Sequence, residues 1–587
     1  MQSARKLLQY VRPYKWFAIL APFLMLIEVA MDLLQPAIMQ GIIDRGIAEG
    51  NHQYVIKMSG WMFTAAVVGL IGGVGCSVYS TKAAVHFAAD LRKDVFDKIV
   101  HFSNENTGSF GVGKLITIVT NDITTMQTAL MMTLRVFVRG PFLFLGSIWI
   151  VFLTARELFP ILLVAVPLLM ICIYFFTARA GALFQRVQEA IDRVNTKLQE
   201  TLAGIRVIKA FNRKNFETKA FSDVNRKLME ESIGADRFIG ILMPVLLFII
   251  NMGMIAALWM GALQINQGTL QVGVVLAFIN YLTIIMNALV SSSNVLMQIT
   301  RAFPSAGRVQ NVLNSAPGVQ NNARPDKTNK IRGEVEFRHV SYSYSKNEEP
   351  VLKNLSFKAQ AGETVGIIGA TGSGKSTLIK LVPRLFDCDE GEIFIDGLPI
   401  KNYDIHTLRS AIGFVPQKAI LFSGTIEDNL RYGRKQADEE DLNKALEDAC
   451  ADEFVNKFDQ GYKHQLMQGA ANLSGGQKQR LSMARAFVRK PAILILDDST
   501  SAVDTLSESK IQRALQQHYG ESTIFIIASK VASIQHADCI LVMDDGRIVG
   551  KGTHSELLQT CSVYRDIYYT QVEKGGRIDE PAKAYRS

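Results

Sequence analysis

The chain offers little sulfur chemistry. Its six cysteines, Cys76, Cys172, Cys388, Cys450, Cys539 and Cys561, are scattered without metal-site spacing. Four of them fall in the carboxyl-terminal part, read below as cytoplasmic, where disulfides do not persist. No chemistry is assigned to them. No short internal repeat is evident. The first apolar run is too long for a removable signal peptide and lacks a plausible cleavage site. The formal net charge is +9, yet much of the basic excess sits in connections between apolar runs, so no nucleic-acid partner is called for.

What the sequence has in quantity is long apolar stretches. Six runs reach the about 20 residues that a bilayer crossing requires: roughly 16–39, 54–78, 130–153, 158–177, 238–263 and 272–297. Six in one half of the chain are too many to be core helices of a soluble domain. Composition changes sharply near 314–330. The expected organisation is a membrane domain (1–315), a linker (316–331) and a second domain (332–587).

Basic residues set the orientation. Arg5, Lys6, Arg12 and Lys15 precede the first run, and Arg92, Lys93, Lys98 and Lys114 follow the second. Arg179, Arg186, Arg193, Lys197, Arg206, Lys209, Arg213 and Lys214 follow the fourth. The alternate connections, 44–53, 155–157 and 264–271, are short and poor in lysine and arginine. The amino terminus, both long connections and the second domain are therefore expected in the cytoplasm of a chain embedded in the cell membrane. The long connections are helix-periodic, as at 184–191, so spans two to five are expected to continue as cytoplasmic helices.

Polar residues inside a membrane are costly. Glu28 and Asp32, four apart, share one face of the first span. Asn251 lies in the fifth span, and Asn280 and Asn287 lie in the sixth. They either line a substrate cavity, the acids receiving cationic amphiphiles, or hydrogen-bond between helices. Arg135 and Arg139 are expected to snorkel from the cytoplasmic end of the third span.

In the second domain, Gly369-Ala-Thr371-Gly372-Ser373-Gly374-Lys375-Ser376-Thr377 fits the P-loop pattern. A β-branched run (364–368) precedes it and a helical run follows, which is the context that motif requires. Glycines let backbone N–H groups turn toward phosphates, and the helix N-terminus favours negative charge. Lys375 would reach the β- and γ-phosphates of ATP, and the Ser376 hydroxyl would ligate Mg2+. Asp497 ends a buried-strand pattern (492–496) and would join the magnesium shell.

Leu473-Ser474-Gly475-Gly476-Gln477-Lys478-Gln479-Arg480, following that P-loop, resembles the signature of the ATP-binding-cassette (ABC) family, exporter type. The likeness covers the whole chain. It implies that Gln417 is the Q-loop residue near Mg2+ and that Tyr344 stacks on adenine. It also implies that Ser501-Ala502-Val503-Asp504 is the D-loop, with Asp504 counted among the catalytic set. Two such domains would close head to tail around two ATP molecules. Ser474, Gly475, Gly476 and Gln477 would then serve the nucleotide on the partner's P-loop. Segments near 107–125 and 201–211 resemble the coupling segments of exporters.

Two positions depart from that family's pattern. A glutamate normally orients the attacking water and a histidine contacts the γ-phosphate; here Asp498 and Ser529 stand in their places. Gln468 also replaces a glutamate that exporters usually carry before the signature. Loss of a well-placed acid–base group costs about 10²–10⁴ in rate. The resemblance therefore implies a site that binds ATP and hydrolyses it poorly, unless Asp498 acts through a rearranged water. With the signature intact, the expected assembly is a heterodimer with a related, non-identical half-transporter.

The expected fold is an all-α membrane domain of six helices with long cytoplasmic extensions, then an α/β P-loop ATPase domain with an antiparallel side sheet and a helical subdomain. The expected function is ATP-driven efflux of small amphipathic compounds, with ATP and Mg2+ as cofactors and membrane lipid around the spans. The alternatives are a lipid or peptide exporter and an ATP-gated membrane regulator that does not pump.

Overall fold

The structure, a computed structural model, describes residues 6–322, 325–326, 330–344, 349–501 and 503–575. The expected linker thus lies partly outside the described residues, as does Ala502 of the D-loop. The chain forms two compact units, one of Met1–Val100 with Val112–Ser315 and one of His101–Gly111 with Ala316–Ser587.

The first unit contains six membrane-capable helices: α1 (Leu8–Ile47), α2 (His52–Val100), α3 (Val112–Thr154), α4 (Arg156–Ala203), α5 (Lys214–Asn266) and α6 (Val272–Asn314). They run 40 to 53 residues. At 1.5 Å per residue this is about 60–80 Å, at least twice the ~30 Å hydrocarbon core of a bilayer. Extension was expected for spans two to five; α1 and α6 also run past the membrane length. Trp16, Ile56, Tyr174 and Trp259 point outward, as suits apolar surfaces in lipid. Close packing needs small residues: a Cβ on Gly72 of α2 would lie 2.9 Å from the Leu24 carbonyl oxygen of α1.

Two of these helices contain π turns, at Ile42–Ile47 in α1 and at Ile118–Asp122 and Thr133–Phe137 in α3. In the first, buried Asp44 accepts from the Gly273 amide at 2.6 Å, satisfying a donor at the start of α6. In the second, buried Asp122 accepts from Arg308 Nε at 2.8 Å and Nη2 at 2.5 Å, and from Ser305 Oγ at 2.9 Å. The third carries Arg135. π turns are rare and are frequent at functional sites.

The second unit's strands are β1 (Val335–Tyr342), β2 (Leu352–Ala359), β3 (Thr364–Gly369), β4 (Glu390–Ile395), β5 (Leu398–Pro399) and β6 (Ile412–Val415). After the short pair β7 (Gly424–Thr425) and β8 (Gln465–Leu466) come β9 (Ile493–Asp497), β10 (Thr523–Ile527), β11 (Cys539–Asp544) and β12 (Arg547–Gly552). One sheet has the order β2-β1-β4-β5 and is antiparallel. The other runs β12-β11-β3-β10-β9-β6, parallel throughout except for its β12 edge. Every residue of β9 is buried, as a central parallel strand requires. Helix α7 (Lys375–Leu381) follows β3, α8 (Gly475–Phe487) belongs to the helical part between β6 and β9, and α9 (Thr505–His518) follows β9.

The parallel order β3-β10-β9-β6 brings four carboxyl ends to one edge of the sheet. The residues just beyond those ends are the P-loop, Ser529, Asp498 and Gln417. In open α/β sheets this edge is where ligands bind.

Candidate functional site

The P-loop backbone is shaped by three glycines at positive φ, Gly369 (+157°), Gly372 (+88°) and Gly374 (+92°). At Gly374 a side chain is excluded twice, by the left-handed backbone and by Leu352 Cδ2, 2.7 Å from where a Cβ would stand. The Lys375 ammonium is folded into the loop, 2.8 Å from the Gly369 carbonyl and 2.7 Å from that of Ala370. Burial holds its pKa below the usual lysine value. Thr371 is exposed on the loop and Ser373 is buried beneath it. The Tyr344 hydroxyl lies 2.9 Å from Thr377 Oγ1, and its ring meets Phe386 edge-on, remaining 45 % exposed.

Ser376 Oγ donates to Asp497 Oδ1 at 2.9 Å. Asp497 is buried, and desolvation pushes its pKa up even against the Ser376 hydrogen bond. A carboxylate and a hydroxyl, both oxygen donors on a buried edge, suit a hard divalent cation that neutralises the carboxylate. Among the described residues no cluster of three or more His, Cys, Asp or Glu could hold a metal by itself. Mg2+ would be held jointly by Ser376, Asp497 and substrate phosphates. When bound, the metal would neutralise charge developing on the phosphates.

Asp498 adopts a left-handed backbone (φ +47°), with its amide donating to the Ile527 carbonyl at 3.0 Å. Its carboxylate oxygens accept long hydrogen bonds from Ser529 Oγ and from Gln417 Nε2, both at 3.4 Å. The structure thus gathers Gln417, Asp498 and Ser529, residues taken from three separate stretches of sequence. Asp504 is placed differently: it N-caps α9, accepting from the Ser507 amide at 2.9 Å, and that bond holds its pKa below the ordinary carboxylate value.

The signature opens α8. Ser474 is its N-cap in a reciprocal box with Gln477: Ser474 N donates to Gln477 Oε1 at 2.9 Å and Gln477 N to Ser474 Oγ at 3.4 Å. Gly475 and Gly476 form the first turn, and a Cβ on Gly475 would meet nothing within 4 Å. The α8 N-terminus is open to an incoming anionic group.

In the first unit a cavity of about 1290 Å³ lies between α1, α2, α3 and α6. Glu28, Asp32, Asn280 and Asn287 line it; Asn251, on α5, does not. Arg135 and Arg139 also line it. Arg139 Nη2 is 2.8 Å from Asp32 Oδ2 and 3.4 Å from Glu28 Oε1. The matched spacing was a usable signal: two acids four apart on one span and two arginines four apart on another.

A membrane bundle and a P-loop ATPase on one chain define an ATP-driven membrane protein. Residues 18–289 match the family described as ABC transporter transmembrane region, and residues 352–501 match the ABC transporter family. The chain is 39 % identical over 97 % of its length, and 99 % of the relative's, to YfiB of Bacillus subtilis, named an uncharacterized ABC transporter ATP-binding protein. It is 31 % identical, over 97 % of this chain and 98 % of the other, to a putative export ATP-binding/permease protein of Rickettsia typhi. A bacterial Atm1-family ABC exporter solved with ATP bound shares its fold, with a TM-score of 0.79, 24 % identity, and coverage of 97 % of this chain and 99 % of that one. The chain belongs to the ABC transporter family, as an exporter-type chain with spans and ATPase fused.

Proposed function

We propose that this chain is the hydrolysis-impaired half of a heterodimeric exporter of small amphipathic compounds. The observation that carries the reading is the tie of Asp498 to Ser529 and Gln417. The carboxylate expected to orient water is one methylene short and already accepts from two side chains. A serine hydroxyl is shorter than an imidazole and carries no charge, and here it is turned toward Asp498. The open, well-capped Ser474–Gln477 turn supports a working signature offered to the partner's nucleotide. Basic residues around the long connections support a cytoplasmic ATPase in the cell membrane. ATP binding would favour closure of two ATPase domains, and hydrolysis at the partner's P-loop would reset them.

The purified chain alone is expected to bind Mg–ATP with turnover near background. The double change D498E/S529H repairs both positions and should raise that turnover by about 10²-fold or more. Full turnover by the unaltered chain without a partner would overturn the reading.

A further inference from the structure

Each π turn holds a charged side chain, and two of the three have their counterparts on α6. Asp44 meets the Gly273 amide, and Asp122 meets Arg308 and Ser305. The third presents Arg135 to the cavity, where it has no hydrogen-bond or ion-pair partner among the described residues.

The charges lining the cavity are Glu28, Asp32, Arg135 and Arg139. Arg139 lies between the two acids and engages both. Neither acid is left free for a cationic ligand. What remains is the Arg135 guanidinium, one helical turn from Arg139, whose buried Nε also lacks an acceptor. The wall has donors without acceptors. Arg135 is exposed where it lines the cavity, and an oxyanion reaching it would gain paired, charge-assisted hydrogen bonds.

We infer that the cavity takes an amphiphile with an anionic head, a carboxylate, phosphate or sulfate, seated against Arg135. Its apolar part would lie against Met25, Met62, Met131 and Met132, flexible side chains that adapt to varied shapes. This rests on the exporter reading and gives it a substrate class, opposite in sign to what Glu28 and Asp32 suggest by themselves.

The test titrates fluorophore-labelled dodecyl phosphate, and the same label on dodecyltrimethylammonium, against full-length protein in phosphatidylcholine nanodiscs. Dodecyl phosphate is expected to bind more tightly. R135Q should weaken it about tenfold, the size of a lost charge-assisted hydrogen bond, while R135K retains most of it. Equal or tighter binding of the ammonium probe, or phosphate binding unchanged in R135Q, would overturn the inference. The wild-type comparison of the two probes needs no variant and decides the matter even where R135Q folds poorly. Competition by added phosphatidylglycerol assigns the site to a lipid headgroup, and lack of competition assigns it to a free amphiphile; both put the anion at Arg135. Phosphate binding without ATP-driven uptake of either probe into inverted vesicles counts against the exporter reading alone. Uptake favouring the ammonium probe counts against the anionic class alone.

Discussion

Ser529 Oγ points at Asp498 Oδ1 from 3.4 Å, so the two residues that break the ABC catalytic pattern face each other across the neighbouring strands β10 and β9. The long hydrogen bond ties the two positions together, so they are best altered as a pair.

On the proposed heterodimer reading, variants of this chain should affect turnover unequally in a complex with the proposed partner. Asp498→Asn removes a carboxylate already engaged by Ser529 and Gln417, and most hydrolysis should survive. Gly475→Glu adds bulk and negative charge at a position open within this chain, so the domain should fold while the opposing nucleotide is repelled. Turnover should fall at least 10²-fold, in line with loss of transition-state donors. Steady-state phosphate release at saturating Mg–ATP checks both; equal losses would contradict the asymmetry.

Asp497→Asn should separate stability from function. Burial raises the Asp497 pKa, so its contribution to stability is present below the unfolded carboxylate value and lost as pH rises through the raised one. At neutral pH the charged form is the costly one. The amide should thus raise the melting temperature of nucleotide-free protein by a few degrees and abolish the further rise that Mg–ATP gives. Thermal melts with and without Mg–ATP read both effects.

Asp122 is buried while Arg308 is partly exposed. Removing the arginine leaves a buried carboxylate with Ser305 as its remaining side-chain partner among the described residues, and Arg308→Ala should destabilise the chain by about 1–3 kcal/mol, less than for a fully buried pair because the guanidinium is partly exposed. Asp122→Asn added to Arg308→Ala should recover part of that loss. Thermal or denaturant unfolding in detergent, run as a double-mutant cycle, measures the coupling.

Glu28→Gln with Asp32→Asn should release Arg139 into the cavity. Uptake of an anionic probe relative to a neutral one should then rise, and uptake of a cationic probe should change little. Selective loss of cation uptake would mean that the acids bind substrate directly.

The parts legible in the sequence were the local ones. A P-loop is nine contiguous residues, and a span is one long apolar run, so Lys375, Ser376 and the six helices needed no tertiary knowledge. Asp497 was readable from the apolar strand it ends. Partnerships across the chain were not legible: Asp122 and Arg308 are 186 residues apart, and only the bundle brings them together. The pairing of Arg139 with Glu28 and Asp32 was hidden for the same reason, since the acids sit on another helix. The π turns leave no composition signal.

The allegiance of residues 101–111 has a topological consequence. Asn106 in that segment donates to the Ala316 carbonyl at 3.2 Å and accepts from the Gly318 amide at 2.9 Å, so the loop between α2 and α3 is sewn into the ATPase unit. The backbone passes between the two units three times, at 100–101, 111–112 and 315–316. A fragment beginning at 316 is not the whole ATPase body, since it leaves one of its own pieces behind. A single proteolytic cut in the linker likewise does not part the two units, because the polypeptide still enters and leaves the ATPase body through α2 and α3.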